Sequence, residues 1–400
     1  MNNKDLYQKK RDCCGCEVCA ISCPKHIISM RCDEEGFLYP SIDDENSCIN
    51  CGRCLSVCPV KSPGRISQTI KESFGGYSLK QEDLKNSASG GYATAISQKF
   101  IDSGGVVCGV RYSDDFKEAV FTRVSQIDDA ERLRTSKYAQ ARKGSIYADV
   151  LADLKNGNKV LFIGLPCELS AVYHYVGNYS DNLYTISLIC HGPTSPKVQK
   201  DFCSYLEKKY NSTITYFSLR YKLKGWKPYY IKADFINGRN YLKRFDKTTY
   251  GMAFQYLKRP SCHVCKYKSK NKDFGLISDL IVGDYHTARP GMSHYNSWGV
   301  SQVSVLTEKG EYLIGLISEC CSLDTIPMEI ILNSNIALHQ PVSPKKGRKK
   351  FANAYSSHSL TYACRIPSIY IPYKRRQITK AIKKQLFPVV RRVKHLFRHG

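Results

Sequence analysis

The sequence predicts an α+β protein in which a small, cysteine-rich N-terminal domain precedes a larger α/β domain with a mixed sheet. Three observations lead to this class. Cysteines are concentrated near the N-terminus, helical and strand-like periodicities alternate through the middle of the chain, and a strongly basic segment ends it. Hydrophobic residues make up 42% of the 400 positions, which is enough for a substantial core.

Two stretches near the N-terminus repeat one cysteine pattern. "CCGCEVCAISCP" (13–24) and "CINCGRCLSVCP" (48–59) each contain C-x2-C-x2-C-x3-C followed by proline. This is the spacing of bacterial two-cluster ferredoxins, in which the fourth cysteine of each run binds the other cluster. We therefore predict two 4Fe-4S clusters. The first is bound by Cys13, Cys16, Cys19 and Cys58, and the second by Cys48, Cys51, Cys54 and Cys23.

A pair of zinc sites is the competing interpretation, because C-x2-C pairs are also common in zinc proteins. Zinc needs only two such pairs per site and leaves the repeated run with its proline unexplained. Cys14 and Cys32 fall outside the pattern, and we expect them to bind no metal.

The cysteine content also bears on the cellular compartment. The opening residues show no apolar stretch typical of a signal peptide, so the 19 cysteines are expected to be reduced or metal-bound rather than paired in disulfides. No run of about eighteen apolar residues occurs, and no membrane span is expected. We therefore expect a cytoplasmic protein.

The C-terminal segment carries much of the formal charge of +25. Residues 345–400 contain sixteen Lys and Arg and no Asp or Glu, and apolar residues recur there every three or four positions. This pattern predicts an amphipathic basic helix, kinked at Pro388, that lies on the anionic inner face of the membrane. Nucleic acid and a solvated tail are the alternatives, and nucleic acid is unlikely because a phosphate groove has no use for an apolar stripe. The stripe consists of Ile378, Ile382, Leu386, Val389, Val393 and Leu396.

Between these segments we predict four regions: a two-cluster domain (1–62), a linker (63–84), a reductase domain (85–335) and the basic tail (336–400). Periodicity predicts helices over 91–103, over 145–155 and after Pro196. Strands are predicted in "GGVVCGVRY", "KVLFIG", "LYTISLIC", "ITYFSLRY", "PYYIKADFI", "DLIVGD" and "VSQVSVL".

Several short strings in the body, taken in order, resemble the coenzyme F420 hydrogenase/dehydrogenase beta-subunit family. They are "SASGGYATAI" (87–96), "TSKYAQARKG" (135–144), "VLFIGLPCELSAV" (160–172) with "ISLICHGPTSP" (186–196), and "CHVCKYKSKNKDFGLISDLIVGDYH" (262–286). The resemblance runs from about residue 10 to about residue 320 and includes the N-terminal ferredoxin module. It implies a flavoprotein that passes electrons between iron-sulfur clusters and an organic acceptor through FAD, with a protein such as ferredoxin as donor or acceptor.

The resemblance also implies a flavin site in the body. Two glycines before a predicted helix would let backbone N–H groups approach a phosphate or the flavin edge, although an ordinary helix start is the alternative. Lys137 could place a cation where negative charge develops on the reduced flavin, with a solvated lysine as the alternative. The predicted cofactor contacts are Ser89, Gly90, Gly91, Thr94, Lys137, Gly283 and Asp284.

Four further cysteines are candidates for a third 4Fe-4S cluster, which the resemblance places within the flavin domain. They are Cys167, Cys190, Cys262 and Cys265, and buried free thiols or a zinc knuckle are the alternatives. His191 beside Cys190 is, with Lys137, a catalytic candidate as a proton donor, although a histidine there can instead tune the cluster through a hydrogen bond.

The family's string "GDFWG" reads "GDYHTA" here, from Gly283 onward, and this departure leaves the substrate open, coenzyme F420 included. Two other functions stay in competition with the flavoprotein. One is an electron-carrier subunit without bound flavin, and the other is a redox-sensing iron-sulfur scaffold on membrane or nucleic acid. Electron direction and oligomeric state are not determined by the sequence.

Overall fold

The computed structural model describes residues 6–62, 64–65 and 67–396, with the backbone alone described for 380 and 383–396. The N-terminal cysteine-rich domain is built from two short helices and a hairpin. Helix α1 (Val18–Ile21) and α2 (Arg53–Ser56) follow the first cysteines of each run, and β1 (Ile28–Cys32) pairs antiparallel with β2 (Leu38–Ile42). A small core of Leu6, Ile28 and Ile42 packs against two of the cysteines, Cys23 and Cys54.

The body is organised around an eight-stranded mixed sheet of order β13-β3-β12-β11-β7-β6-β4-β5. The central strands β4, β6, β7 and β11 run parallel, and antiparallel strands flank them on both sides. The predicted mixed sheet is thereby confirmed. The strands span Glu72–Gly76 (β3), Val106–Tyr112 (β4), Ala119–Val124 (β5), Val160–Gly164 (β6), Leu183–Leu188 (β7), Leu280–Asp284 (β11), Ser301–Val305 (β12) and Asp324–Thr325 (β13).

Helices cover both faces of this sheet. On one face α4 (Tyr92–Asp102) and α10 (Glu308–Gly315) bury side chains such as Phe100 and Leu313. On the other, α6 (Ile146–Lys155) and α7 (Pro166–Val176) bury Val150 and Leu169. The remaining helices of this region are α3 (Gln81–Asn86), α5 (Ile127–Ala130) and α11 (Met328–Ser334). The predicted helices over 91–103 and 145–155 are confirmed as α4 and α6, and most of their apolar residues, which recur at helical spacing, are buried.

A second module carries a three-stranded antiparallel sheet of order β10-β9-β8, formed by β8 (Ile214–Tyr221), β9 (Tyr230–Phe235) and β10 (Asn240–Arg244). Helices pack over it and share one core. They are α8 (Pro196–Tyr210), α9 (Thr249–Tyr256), α12 (Arg348–Ser357), α13 (Leu360–Arg365) and the start of α14 (Pro367–Leu396). Short 3-10 turns occur at Lys10–Asp12, Glu131–Leu133, Gly177–Tyr179, Phe245–Lys247, Pro260–Val264 and Ile336–Leu338.

Two predicted segments differ in the structure. The range 63–84, predicted as a linker, contains β3, which pairs with both β12 and β13. Its sequence "ESFGG" lacks apolar alternation and so gives no sign of a strand. Hydrogen bonding to two neighbouring strands holds the segment in place. The range 336–400, predicted as a tail, contains α12 and α13, where Phe351 and Tyr355 are fully buried in the core of the second module. The lysine-rich sequence of 345–350 predicts an exposed segment, so the burial of these two residues was not expected.

The C-terminal helix α14 continues to Leu396, as the periodicity predicts, and it runs through Pro388. The stripe residues Ile378 and Ile382 are exposed. Leu386, Val389, Val393 and Leu396 have side chains outside the described residues. Over the part of the chain that the structure describes, every helix is too short or too polar to cross a bilayer.

The cysteine-rich domain is held on the body by a buried arginine. Arg259, only 1% exposed, donates from Nε to the Cys13 carbonyl at 2.8 Å and from Nη2 to the Leu38 carbonyl at 2.8 Å. Its Nη1 donates to Gln140 Oε1 at 2.9 Å, and Gln140 Nε2 in turn donates to the Gly15 carbonyl at 2.8 Å. The Arg259 guanidinium therefore joins both the first cysteine run, at Cys13, and the hairpin, at Leu38, to the body.

Replacing this arginine tests the docking. The R259A substitution leaves three buried acceptors without their donor, and we expect it to lower the free energy of unfolding by about 3 kcal/mol. Urea denaturation of anaerobically purified protein measures the loss. The control is R31A, since Arg31 pairs with Asp43 on the surface. An R259A protein as stable as R31A would show that Arg259 does not hold the two parts together.

Candidate functional site

The cysteines of the small domain gather in two neighbouring groups. Burial raises the pKa of Cys19 well above its ordinary value, and the nearby thiols of Cys13, Cys58 and Cys54 act in the same direction. Burial likewise raises the pKa of Cys54, and its neighbours are Cys23, Cys51 and Cys48. The fourth cysteine of each run, Cys23 or Cys58, thus lies beside the other run.

The second group is the outer one. Cys51 is exposed and Cys48 is partly exposed, whereas Cys16 of the first group is buried against the body. Tyr147 of the body donates a hydrogen bond from its hydroxyl to the Cys16 carbonyl at 3.0 Å. One group therefore faces solvent and the other faces the larger domain.

The four body cysteines also come together, around a cavity of about 830 Å³ between the small domain and the sheet. Cys167 begins α7 directly after β6, and Cys190 follows β7, so both lie at the carboxyl ends of parallel strands. Cys262 and Cys265 reach the same cavity from the turn Pro260–Val264 and the residue after it. Burial, together with the neighbouring thiols of Cys190 and Cys265, raises the pKa of Cys262 to about 12.

Among the residues that the structure describes, no three His, Cys, Asp or Glu side chains are arranged to hold a single metal ion. A cubane cluster differs from a single ion because it spreads four thiolates over a larger volume.

A second cavity, of about 290 Å³, adjoins the first at the same edge of the sheet. This volume is at the lower end of the range for small-molecule sites, about 300–1,000 Å³. Predicted cofactor residues that line it are Ser89, Gly91, Thr94, Lys137, Gly283 and Asp284, together with His191. Gly90 lies behind this wall, where its N–H donates to Ser301 Oγ at 2.9 Å.

The N-terminus of α4 points into this second cavity, because Gly91, Tyr92, Ala93 and Thr94 all line it. The first turn of a helix leaves N–H groups without intrahelical partners and carries a partial positive charge. Gly90 has to be a glycine here, since a Cβ would lie 2.4 Å from the Gly76 carbonyl oxygen and 2.5 Å from the Ser301 nitrogen. Close backbone packing thus fixes the helix start against the sheet.

Lys137 lines the cavity, but its ammonium bonds to the chain itself. Nζ donates to the Arg132 carbonyl at 3.0 Å and to the Arg134 carbonyl at 2.5 Å. Burial of the ammonium lowers the pKa of Lys137 to about 7, although part of the side chain retains exposed surface. The Lys137 ammonium therefore holds together the loop that carries it.

Asp284, at the end of β11, forms a buried ion pair with Arg220 at 2.9 Å. Burial disfavours its charge, but Arg220 and His286 hold the pKa of Asp284 below its ordinary value. Arg220 also donates to the Ala88 carbonyl at 2.7 Å, while its Nε has no hydrogen-bond partner within the described chain. The pair ties the loop before α4 to the sheet.

The two histidines that line this cavity, His191 and His286, both have a pKa below the ordinary value, which favours the neutral imidazole. Burial among protein atoms, with Lys258 and His286 nearby, lowers the pKa of His191. Burial also lowers the pKa of His286, which stands where the family string has tryptophan. A neutral His191 favours the hydrogen-bonding role over the proton donor.

Buried lysines around the two cavities lack carboxylate partners. Lys222 is 6% exposed and donates to the Leu84 and Ser89 carbonyls at 2.6 and 2.7 Å, and burial lowers its pKa to about 7. Lys258 donates to the Gly192 carbonyl at 2.6 Å, and burial lowers its pKa to about 7 as well. Within the described chain neither has a carboxylate within salt-bridge distance. Each ammonium therefore lies behind a cavity wall, bonded to the carbonyl of a lining residue, Ser89 or Gly192.

The two cavities share a wall formed by Leu165, Glu168, Cys190, Gly192 and Pro193. Glu168 in this wall is paired with the fully buried Lys143 at 2.7 Å. The first cavity is also lined by Cys14 and Cys16 of the small domain. A line of sites therefore runs from the small domain through the thiol cavity to the cavity at α4.

Sequence reasoning missed Arg220, Lys222 and Arg259, which lie in no recognised string. It also treated Cys14 as uninvolved, although this thiol lies among those of the body. The only signal in the sequence was its place in "CCGC", directly beside a predicted ligand.

Comparisons with known proteins agree with the resemblance. Residues 157–329 match the family model for the C-terminal part of the coenzyme F420 hydrogenase/dehydrogenase beta subunit, and residues 12–62 match the "4Fe-4S dicluster domain". A coenzyme F420-dependent sulfite reductase of Methanocaldococcus jannaschii is 27% identical over 161 residues, which cover 40% of this chain and 24% of the reductase. The alignment thus spans about a quarter of that relative's length.

Two longer likenesses cover most of the chain. An uncharacterized protein of Methanocaldococcus jannaschii is 24% identical over 342 residues, covering 74% of this chain and 87% of that protein. A chain of the F420-reducing [NiFe] hydrogenase complex from Methanosarcina barkeri has a TM-score of 0.48 and 18% identity, covering 73% of this chain and 95% of that one.

The matched models agree with the resemblance drawn from the short strings and indicate an iron-sulfur protein related to oxidoreductases. Residues 157–329 thus carry the C-terminal domain of the coenzyme F420 hydrogenase/dehydrogenase beta subunit, and residues 12–62 carry a 4Fe-4S dicluster domain.

Proposed function

We propose that this chain is a reductase that passes electrons between three 4Fe-4S clusters and an organic acceptor through FAD. The observation that carries the proposal is the unbroken series of sites: an exposed thiol group, a buried thiol group, the thiol cavity and the cavity at α4. Each adjoins the next, and the last two share Cys190 in their common wall.

The ligand sets follow from which thiols lie together. In the small domain Cys13, Cys16, Cys19 and Cys58 would hold the inner cluster, and Cys48, Cys51, Cys54 and Cys23 the outer one. In the body Cys167, Cys190, Cys262 and Cys265 would hold the third. The residues of the body fit such a group, since Lys258 and Arg259 bring positive charge to thiol ligands that bind as anions.

The second cavity fits an anionic cofactor. The start of α4 offers N–H groups to a phosphate, and Arg220, which is paired with Asp284, lines the same cavity with an Nε that has no hydrogen-bond partner within the described chain. Lys222 lies behind the wall, where it donates to the Ser89 carbonyl. When bound, FAD accepts electrons singly and delivers them as a pair. The role of Asp284 is to hold Arg220, and through it the Ala88 carbonyl, in place beside Ser89 and Gly91.

Electrons would enter or leave at the outer thiol group. Cys51 is exposed there, and the neighbouring Ile49 is 57% exposed, so a partner can approach closely. We propose a small electron-transfer protein such as ferredoxin as this partner. The direction of transfer depends on the partner's potential rather than on the fold.

The helix α14 supports a second contact, with an anionic membrane surface. Its inner face is fixed to the body, because Tyr373 Oη donates to the Asp246 carbonyl at 2.6 Å and Ile369 is fully buried. Its outer face carries Ile371, Ile378 and Ile382, which are 47%, 58% and 48% exposed. Lys374 and Arg375 flank this apolar stripe, the arrangement that binds a helix to anionic lipid headgroups.

Metal and flavin content test the redox proposal. Protein purified anaerobically should contain about twelve irons, about twelve acid-labile sulfides and one FAD per chain. The C262S variant should contain about eight irons, because one body ligand is lost, and the C203S control should keep twelve. About eight irons and no flavin in the wild-type protein would contradict the reductase and leave an electron carrier.

Vesicle flotation tests the membrane contact. We expect wild-type protein to float with vesicles of phosphatidylcholine and phosphatidylserine, and I378D/I382D to float several-fold less, because two charges replace the centre of the apolar stripe. Substitution is the appropriate change, since deleting 345–400 would also remove the buried α12 and α13. The control is I236D, at an isoleucine that is 72% exposed elsewhere. Equal flotation of I378D/I382D and wild type would refute the contact.

A further inference from the structure

Cys14 belongs to neither four-cysteine set of the small domain, yet its side chain lies with the thiols of the body. It lines the thiol cavity together with Cys167, Cys190, Cys262 and Cys265. Cys16 lines the same cavity, and Cys16 and Cys167 are the two side chains that most strongly affect the Cys14 thiol. Cys14 therefore lies near one predicted ligand of the inner cluster and one predicted ligand of the body cluster.

The backbone fixes this position. Gln140 Nε2 donates to the carbonyls of Cys14 and Gly15 at 3.1 and 2.8 Å, and Arg259 Nε donates to the Cys13 carbonyl at 2.8 Å. Gly15 has a φ of +69°, and a Cβ there would lie 2.4 Å from Gln140 Nε2. The turn at Gly15 and its tight packing on the body direct Cys14 into the cavity.

Six cysteines line the cavity, and Cys16 among them belongs to the inner set of the small domain. Five thiols therefore remain for the body cluster, whereas a cubane cluster takes four. Cys190, Cys262 and Cys265 influence one another, and Cys167 is the body thiol that Cys14 affects most strongly, with a smaller effect on Cys265. The fifth thiol is Cys14 of the small domain, and among the four body cysteines it lies beside Cys167.

We propose that Cys14 and Cys167 share one iron position of the body cluster, so that either thiolate can be the fourth ligand. This inference rests on the third cluster of the proposed function. In the exchange the bond from iron to the Cys167 sulfur breaks as the bond from iron to the Cys14 sulfur forms. The incoming thiol releases a proton, the departing thiolate takes one up, and no electron is transferred.

Shared ligation would make the body cluster responsive to the docking of the small domain. With Cys14 as ligand, the cluster is bound by both parts of the protein, and with Cys167 it is bound by the body alone. The two forms should differ in their electron paramagnetic resonance spectra, because the fourth thiolate sits in different surroundings.

Iron analysis of four anaerobically purified variants tests the proposal. We expect C167S and C14S to retain about twelve irons each, with altered spectra of the reduced body cluster. The double variant C14S/C167S should fall to about eight irons, since only three thiols remain. The matched control C32S/C167S removes a second cysteine that is exposed and remote from the cavity, and it should keep twelve.

The eight irons of the small domain serve as an internal check that a variant is folded. Twelve irons in wild type with eight in C167S would overturn the shared position and leave the proposed third cluster intact. Twelve irons in C14S/C167S would overturn it as well. Eight irons in the wild-type protein would instead refute the third cluster, and the inference with it.

Discussion

The arrangement of the redox sites depends on the docking of the small domain, and Arg259 is central to that docking. Its guanidinium is almost completely buried and bonds to the Cys13 and Leu38 carbonyls, while Gln140 extends the contact to Gly15. Burying such a charge is unfavourable unless its hydrogen bonds are made, so the small domain and the body are specified as one unit. This places the inner thiol group against the body and leaves Cys51 of the outer group exposed.

The second constraint is the burial of two lysines behind the walls of the cavities. Lys222 and Lys258 are buried and bond to backbone carbonyls without a carboxylate partner, an unfavourable state that a bound anion would relieve. A cluster with thiolate ligands and a phosphate-bearing cofactor are both anionic. The sheet contributes by ending β6, β7 and β11 at the same edge, where Cys167, Cys190 and Asp284 follow in turn.

Much of the body could be predicted from local pattern. The strands containing Phe162, Ile186 and Val282 are continuous apolar runs, as expected for parallel strands covered on both faces, and α4 and α6 show clear helical spacing. The cysteine runs predicted which thiols come together, because that spacing is specific. By contrast β3 has no apolar alternation, Phe351 directly follows a lysine-rich stretch, and Tyr355 lies among Ala, Asn and Ser, so neither segment shows its burial in the sequence.

The site was only partly predictable, because some of its residues lie in segments without a recognisable local pattern. Ser89, Gly91, Thr94 and Asp284 occur in recognisable strings and line one cavity, whereas Arg220 and Lys222 approach it from a strand of the second module. Lys137 was expected to face a cofactor, but nearby carbonyls hold its ammonium. Cys14 is the clearest case of a residue whose position the sequence does not predict. The turn at Gly15 packs on Gln140 and Arg259, which are distant in the sequence, and this packing determines which thiols lie near Cys14.

The central claim is that the small domain delivers electrons to a cofactor in the body. The most direct test mixes anaerobic holoprotein rapidly with chemically reduced ferredoxin and follows cluster and flavin absorbance together. We predict that the clusters are reduced first and the flavin second within the same mixing experiment. The rate of flavin reduction should be independent of protein concentration, because electrons reach the flavin from clusters in the same chain. Reduced clusters beside a flavin that stays oxidised would contradict the account, because the sites would then not form one path.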